Sequence, residues 1–102
     1  MIQVVDSEEH MWILFRESNR FLFDTNCNLG TFGYSFLIEL KPHETGAYEQ
    51  QGRSYLHALS RVIQDSAPIA RDNTSPFKGR DLSHQLGDST TKAFLAWKSL
   101  NK

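Results

Sequence analysis

Hydrophobic and polar residues in the first forty positions follow the patterns of β-strands. Residues 10–17 are rich in β-forming side chains, and residues 20–24 follow after Ser18-Asn19, a dipeptide that tolerates tight-turn geometry. These two segments predict a hairpin. Residues 26–30 are dense in types that accept turn conformations, and apolar and polar positions then alternate, which predicts a third strand over residues 31–40.

The start of the chain predicts one further strand. Residues 2–5 include two valines and an isoleucine and precede a break at Asp6-Ser7, a pattern that indicates a short edge strand. The N-terminal part of the chain is therefore expected to form an antiparallel meander of three or four strands.

The second half of the chain has the apolar spacing of helices. Pro42 ends the last strand, and apolar residues then recur with helical period and predict a helix over about residues 45–65. Gly52 lies inside that helix, where it costs about 1 kcal/mol relative to Ala. Its presence predicts that a neighbour, most naturally the sheet, packs closely against the backbone there.

Ser66-Ala67-Pro68 ends this helix, and two more helical segments follow an irregular loop over residues 69–77. A short helix is predicted near residues 81–86, closed by Gly87, and a second main helix is predicted over residues 89–101, docked through Phe94 and Trp97. An antiparallel meander has one face to cover, and two amphipathic helices suffice to cover it. The expected fold is α+β, with both main helices on one face and residues 1–102 forming a single domain.

The amino-acid composition indicates what class of protein this is and in which compartment it acts. The 102 residues are 39% hydrophobic and 23% charged, which is typical of a folded domain and not of a disordered chain. Cys27 is the only cysteine, so an internal disulfide is excluded and a reducing compartment is favoured. No apolar run is long enough to span a bilayer, and the acidic start is unlike a signal peptide. We therefore expect a cytoplasmic protein without membrane partners.

Charge is distributed unevenly along the chain. Residues 1–50 hold eight acidic and three basic residues, whereas residues 51–102 hold four acidic and eight basic residues. The two halves either present an acidic face and a basic face to partners or neutralise each other within the fold, and neutralisation is the commoner arrangement.

No recognisable catalytic or metal-binding arrangement is visible. The four histidines lie in four different segments without a second histidine or a cysteine at helical zinc-site spacing, and the neighbours of Cys27 supply no positive charge that would activate a thiolate. Asp24 and Glu39 are predicted to lie on neighbouring strands, where solvated carboxylates are the simpler interpretation. Phosphate-binding glycine motifs are absent, and the aromatic strands lack the basic surround of a nucleic-acid site. The sequence predicts no enzyme activity, no cofactor and no metal.

One loop has the composition of a binding site. Arg71, Lys78 and Arg80 surround a Pro-Phe and a Gly, and together they predict a site for an anion, a small ligand or a partner protein. The structural alternative is that Phe77 anchors the loop in the core while Arg80 pairs with an acid of the N-terminal half.

A resemblance points to a class of function. The second half of the chain resembles small bacterial α+β proteins, some of which are similar to immunity proteins of polymorphic or contact-dependent toxins. The residues that carry the resemblance are Tyr48, Gly52, Leu56, Leu59, Ile63, Ser75-Pro76-Phe77-Lys78, Arg80-Asp81-Leu82, Ala93 and Trp97. It implies a non-enzymatic protein-binding domain that masks a cognate toxin, and the acidic first half would suit a basic toxin.

Two other functions are compatible with the same residues. The chain is also interpretable as a homo-oligomeric structural or regulatory domain that associates through an edge strand or a helix face. A third interpretation is an enzyme or a small anion- or ligand-binding protein built around the segment 71–80.

Overall fold

The computed structural model contains one four-stranded antiparallel sheet and three helices. It describes residues 2–29, 32–66, 77 and 79–100. The strands follow one another in the sheet in chain order, so the N-terminal region is a simple meander. The expected α+β class, the meander and the packing of helices on it are confirmed, and the sheet has four strands. The elements are β1 Gln3–Glu8, β2 Trp12–Glu17, β3 Arg20–Leu29, β4 Phe32–Glu39, α1 Pro42–Gln51, α2 Arg53–Ser66 and α3 Ser83–Leu100.

The hairpin between β2 and β3 is as predicted, but β3 is longer than expected. Ser18 has a φ of 55°, and Glu17 pairs with Arg20 across a two-residue turn. The predicted turn after residue 24 does not form at Asn26 or Cys27, which pair with β4. Burial of Cys27 in the core and pairing with β4 override the local turn preference of the segment.

The helices cover both faces of the sheet, so the prediction that they share one face is wrong. We call the two buried clusters the first-face core and the second-face core. The first-face core lies between the sheet and α2 and consists of Trp12, Leu14, Phe23, Cys27, Phe36, Ile38, Leu40, Leu56, Leu59, Ile63 and Phe77. The second-face core lies beneath α3 and consists of Phe15, Leu22 and Leu37, with Ile2, Val4, Ile13, Leu82, Leu86, Ala93 and Phe94 packed against it.

The chain passes from one face to the other around the outer edge of β4. Phe77 is buried in the first-face core, whereas Leu82 packs on the second-face core. The segment from Phe77 to Leu82, which we call the crossing segment, is hydrogen bonded to β4 at Leu37. The backbone N–H of Leu82 donates to the carbonyl oxygen of Leu37 at 2.7 Å, and Asp81 Oδ1 accepts a hydrogen bond from the backbone N–H of Leu37 at 3.4 Å. This crossing places α3 opposite α2.

Gly52 divides the predicted helix at residues 45–65 into α1 and α2. Its φ is 65° and its ψ is −143°, a backbone conformation that is essentially restricted to glycine. A Cβ built at Gly52 would meet nothing within 4 Å, so the expected close neighbour is absent. The glycine serves the sharp change of backbone direction between the helices, and packing against it plays no part.

The short helix predicted near residues 81–86 and the main helix predicted from residue 89 are one continuous helix, α3. Gly87 therefore lies inside a helix and does not end it. A glycine in a helix interior is unfavourable by only about 1 kcal/mol. Leu86 and Phe94 both pack on the second-face core, and this shared packing holds the two halves of α3 in line.

Candidate functional site

The predicted binding loop is only partly described, and its one described cation makes structural contacts. Arg71 and Lys78 lie outside the described residues. Arg80 donates from Nη1 to Glu44 Oε2 at 3.1 Å and from Nη2 to Glu44 Oε1 at 2.7 Å, and Nη2 also donates to the carbonyl oxygen of Glu39 at 2.8 Å. The structure thus shows the contacts of the structural alternative for Arg80, and an anion site on this loop stays a prediction.

Glu44 is buried at the start of α1 and is held in its charged form. The residue is only 4% exposed, and its Oε1 also accepts the backbone N–H of Lys41 at 2.7 Å. Burial by itself raises the pKa of this carboxyl, but the hydrogen bonds from Arg80 and Lys41 outweigh burial and leave the pKa below its usual value. Phe77 completes the arrangement, because the guanidinium carbon of Arg80 lies 5.5 Å from its ring centroid.

Most acidic residues of the first half are neutralised within the fold. Arg53 of α2 lies 3.3 Å from Asp6 Oδ2 and 3.0 Å from Glu8 Oε2, and Arg80 pairs with Glu44. Within the sheet, Arg20 bridges Glu17 and Glu39. Five of the eight acids in residues 1–50 are therefore in ion pairs with arginines. Three of these pairs join the two halves of the chain, as the neutralising alternative predicts, and local pairing weakens the field that an acidic face would present to a basic partner.

The described histidines and the cysteine make no arrangement that suits catalysis. Trp12 donates its indole N–H to Nδ1 of His57 at 3.2 Å, so His57 fixes α2 to the sheet. Burial raises the pKa of the Cys27 thiol, an effect that the hydrogen bond with Tyr34 opposes and the charge of Asp24 reinforces, so the thiol stays protonated. Within the described ranges, no three His, Cys, Asp or Glu side chains lie close enough to hold a metal ion.

The two outer edges of the sheet differ in how they are covered. The edge of β4 is capped by the crossing segment through the hydrogen bonds between Leu37, Asp81 and Leu82. Beside β1, no other strand pairs with the outer edge in the part of the chain that the structure describes. The register of β1 against β2 shifts between Val4 and Asp6, so this edge is less regular than that of an uninterrupted strand. Part of this edge is already in use, because the backbone N–H of Ser7 donates to Asp6 Oδ1 at 2.8 Å and its carbonyl oxygen accepts from Arg53 Nη2 at 3.2 Å. We call the remainder, which no described strand pairs with, the open edge of β1.

An apolar groove runs between β1 and the C-terminal half of α3. It has a volume of about 700 Å³, and we call it the β1–α3 groove. Its apolar lining comes from β1 and the residue before it on one side and from α3 on the other: Ile2, Val4, Ala93, Ala96, Trp97 and Leu100. Trp97 is half-buried and stacks on Phe94, with ring centroids 5.9 Å apart, and Leu100 is 87% exposed. This groove lies beside the open edge of β1, and together they form the candidate interaction site.

The sequence pattern favours other roles for some of these residues. Trp97 was expected to dock the last helix together with Phe94, and the structure places only Phe94 among the residues packed on the second-face core. Residues 2–5 were identified as an edge strand, which was the one available signal for the site. The position of α3 over β1 was hidden, because it depends on the crossing of the chain around β4.

The chain has no match among known proteins. Searches against protein-family models, curated proteins and solved structures found none. Among the described helices, none is both long enough and apolar enough to cross a membrane.

Proposed function

We propose that the protein is a non-enzymatic protein-binding domain, of the immunity type, that recognises an extended segment of a partner at the edge of β1 and in the β1–α3 groove. The observation that supports this most directly is the juxtaposition of an open strand edge with an apolar groove that contains a half-buried tryptophan. Buried Cys27, the only cysteine, favours action in a reducing compartment such as the cytoplasm.

The mode of binding follows from the geometry of a strand edge. An added strand would hydrogen bond to the backbone of β1, and every second side chain of that strand would point toward α3. Those side chains would meet Val4 on one side and Trp97 and Leu100 on the other. Main-chain hydrogen bonds would provide affinity, and the groove would select apolar side chains at alternating positions.

The charges that line the groove indicate how much electrostatic attraction contributes to binding of a partner. Among the described residues, Glu17 and Lys92 are the charged ones that line it, and they have opposite sign. Since most acids of the N-terminal half are paired, contact between apolar side chains supplies more of the recognition than attraction to a basic toxin does. We therefore expect binding to depend only weakly on salt.

The test combines capture of the partner with hydrogen exchange. The purified chain is used to capture its partner from the native cell extract, and the complex is then reconstituted and its stoichiometry measured by light scattering. The proposal predicts a one-to-one complex in which exchange of the β1 amides slows. Trp97→Ala is expected to weaken the complex at least tenfold, whereas Leu95→Ala, at a residue that is 59% exposed on α3 outside the groove, should leave it intact.

The outcomes separate the competing functions. A stable homo-oligomer in the absence of any partner, with β1 protected, would replace this proposal with the oligomeric structural domain. A partner that binds Trp97→Ala as tightly as the native chain, or that protects a different surface, would also reject it.

A further inference from the structure

A second concave site lies beneath α3, on the side of the helix away from the β1–α3 groove. It is a cavity of about 320 Å³ between the second face of the sheet and α3. Ile13 and Phe15 line it from the sheet and Phe94 from the helix, and Asp24 of β3 lies among them. We call it the Asp24 cavity. Polar side chains, among them Asn26, Ser35 and Thr90, line much of the rest of it. Sites for small organic molecules combine an apolar surface with such polar groups.

Asp24 occupies an unusual position in this face of the sheet. It lies between Ile13 of β2 and Leu37 of β4 in the strand register. Its Oδ1 is closed off from solvent and has no hydrogen-bond partner among the described residues. Thr25, the next residue and on the opposite face, shares a hydrogen bond with Ser60. Buried polar groups are normally satisfied, so the unsatisfied oxygen of Asp24 is the exception that needs a reason.

The charged groups around the cavity are mostly acidic. Glu8, Glu9 and His10 face it from the β1–β2 turn region, and Lys98 faces it from α3. Lys98 is engaged in part by Phe94, with Nζ 5.9 Å from the ring centroid, and Glu8 is paired with Arg53. Burial, followed by the charge of Asp81, raises the pKa of Asp24 to about 7. Among the described residues, no cation donates to its Oδ1.

We propose that the Asp24 cavity binds a small organic cation, an amine or amidine on an apolar body, whose N–H group donates to the Asp24 carboxylate. The apolar body packs against Phe15 and Phe94, and the cation compensates the carboxylate charge by donating to the oxygen of Asp24 other than the enclosed Oδ1. An anion would meet the repulsion of Asp24 and its acidic surroundings, and a neutral amide would leave the carboxylate charge without compensation. This site is independent of the β1–α3 groove, since different residues of α3 line each.

The experiment compares three ligands of nearly the same shape and different charge: benzamidine, benzamide and benzoate. Each is titrated into the full chain at about pH 8, and amide chemical shifts are followed by nuclear magnetic resonance. Benzamidine is expected to shift the amides of Thr90 and Phe94 and to bind at least tenfold more tightly than benzamide, with no binding of benzoate. Its affinity should fall about thirtyfold at pH 5.5, where Asp24 is mostly protonated.

Two variants locate the binding group. Asp24→Asn, which keeps the shape and removes the charge, is expected to lose at least tenfold in benzamidine affinity, and Asp88→Asn, at an exposed position of α3, should bind as the native chain does. Equal affinity for benzamidine and benzamide, unchanged binding by Asp24→Asn, or no binding at 10 mM benzamidine would overturn the proposal. If a variant does not fold, the comparison of the three ligands on the native chain still tests whether the Asp24 cavity prefers a cation.

Discussion

Arg80 and Glu44, thirty-six residues apart in the chain, meet in a two-pronged ion pair that ties the crossing segment to the start of α1. The pair is largely shielded from solvent, with the two side chains 17% and 5% exposed. Two parallel hydrogen bonds between a guanidinium and a carboxylate are among the stronger polar contacts in proteins. Their position next to Phe77 indicates that they hold the chain in place as it passes around β4.

Replacing Arg80 is therefore expected to destabilise the fold. Arg80→Ala leaves the Glu44 carboxylate buried without its partner, and breaking a buried pair in this way costs about 3–5 kcal/mol. The free energy of unfolding in urea at neutral pH measures the effect. Arg61→Ala, at an exposed position of α2, is the control and should change the stability by less than about 0.5 kcal/mol. A loss of less than about 1 kcal/mol in Arg80→Ala would show that Arg80 is free for another role.

The buried carboxyl of Asp24 predicts a dependence of stability on pH. Burial, followed by the charge of Asp81, raises its pKa from 3.8 to about 7, so the folded protein holds this proton more tightly than the unfolded chain does. The stabilisation is fully present below the unfolded pKa and is lost as the pH rises through the folded pKa. At about pH 8 the carboxyl of Asp24 is ionised and therefore destabilises the fold.

Asp24→Asn tests this dependence directly. The variant should be more stable than the native chain at about pH 8, by on the order of 2–4 kcal/mol, and nearly equal to it at about pH 4. Urea unfolding of both chains at the two pH values measures the difference, in which the other titrating groups cancel. The same stability difference at both pH values would contradict the assignment, as would a matching gain in Asp88→Asn.

Two glycines of the helical region allow a matched comparison of backbone strain. Gly52 has a φ of 65°, whereas Gly46 lies within α1, and a Cβ at either position meets nothing within 4 Å. Gly52→Ala should therefore destabilise the fold by about 1–3 kcal/mol through strain alone. Gly46→Ala should stabilise it by about 0.5–1 kcal/mol through helix propensity. Thermal unfolding followed by circular dichroism distinguishes the two, and a stabilising Gly52→Ala would show that α1 and α2 tolerate a continuous helix.

The short-range patterns predicted most of the elements, and the errors came from long-range arrangement. Alternation and turn residues were sufficient for β2 and β4 because these depend on neighbours in sequence. β1 was predicted to end before Asp6-Ser7, but pairing with β2 carries it on to Glu8. The placement of both helices on one face overlooked a signal in the strands. Adjacent buried residues at Leu14-Phe15 and Leu22-Phe23 point to opposite faces, so both faces must be covered.

The candidate site was less predictable for the same physical reason. The β1–α3 groove exists only because the chain crosses the edge of β4 between Phe77 and Leu82 before α3 begins. That crossing depends on contacts such as the one between Arg80 and Glu44, which no local pattern encodes. Asp24 was interpreted as a solvated carboxylate, because its position between Ile13 and Leu37 requires the strand register.

The two tryptophans are expected to respond differently to truncation, since one is in the core and the other lines the groove. Trp12 is 1% exposed and hydrogen bonded to His57, so Trp12→Ala should cost about 3–5 kcal/mol. Trp97 is half-buried, so Trp97→Ala should cost only about 1–2 kcal/mol and leave a folded chain. Urea unfolding of both variants measures the difference. Should Trp97→Ala be as damaging as Trp12→Ala, Trp97 would belong to the core and the groove would lose its main contact residue.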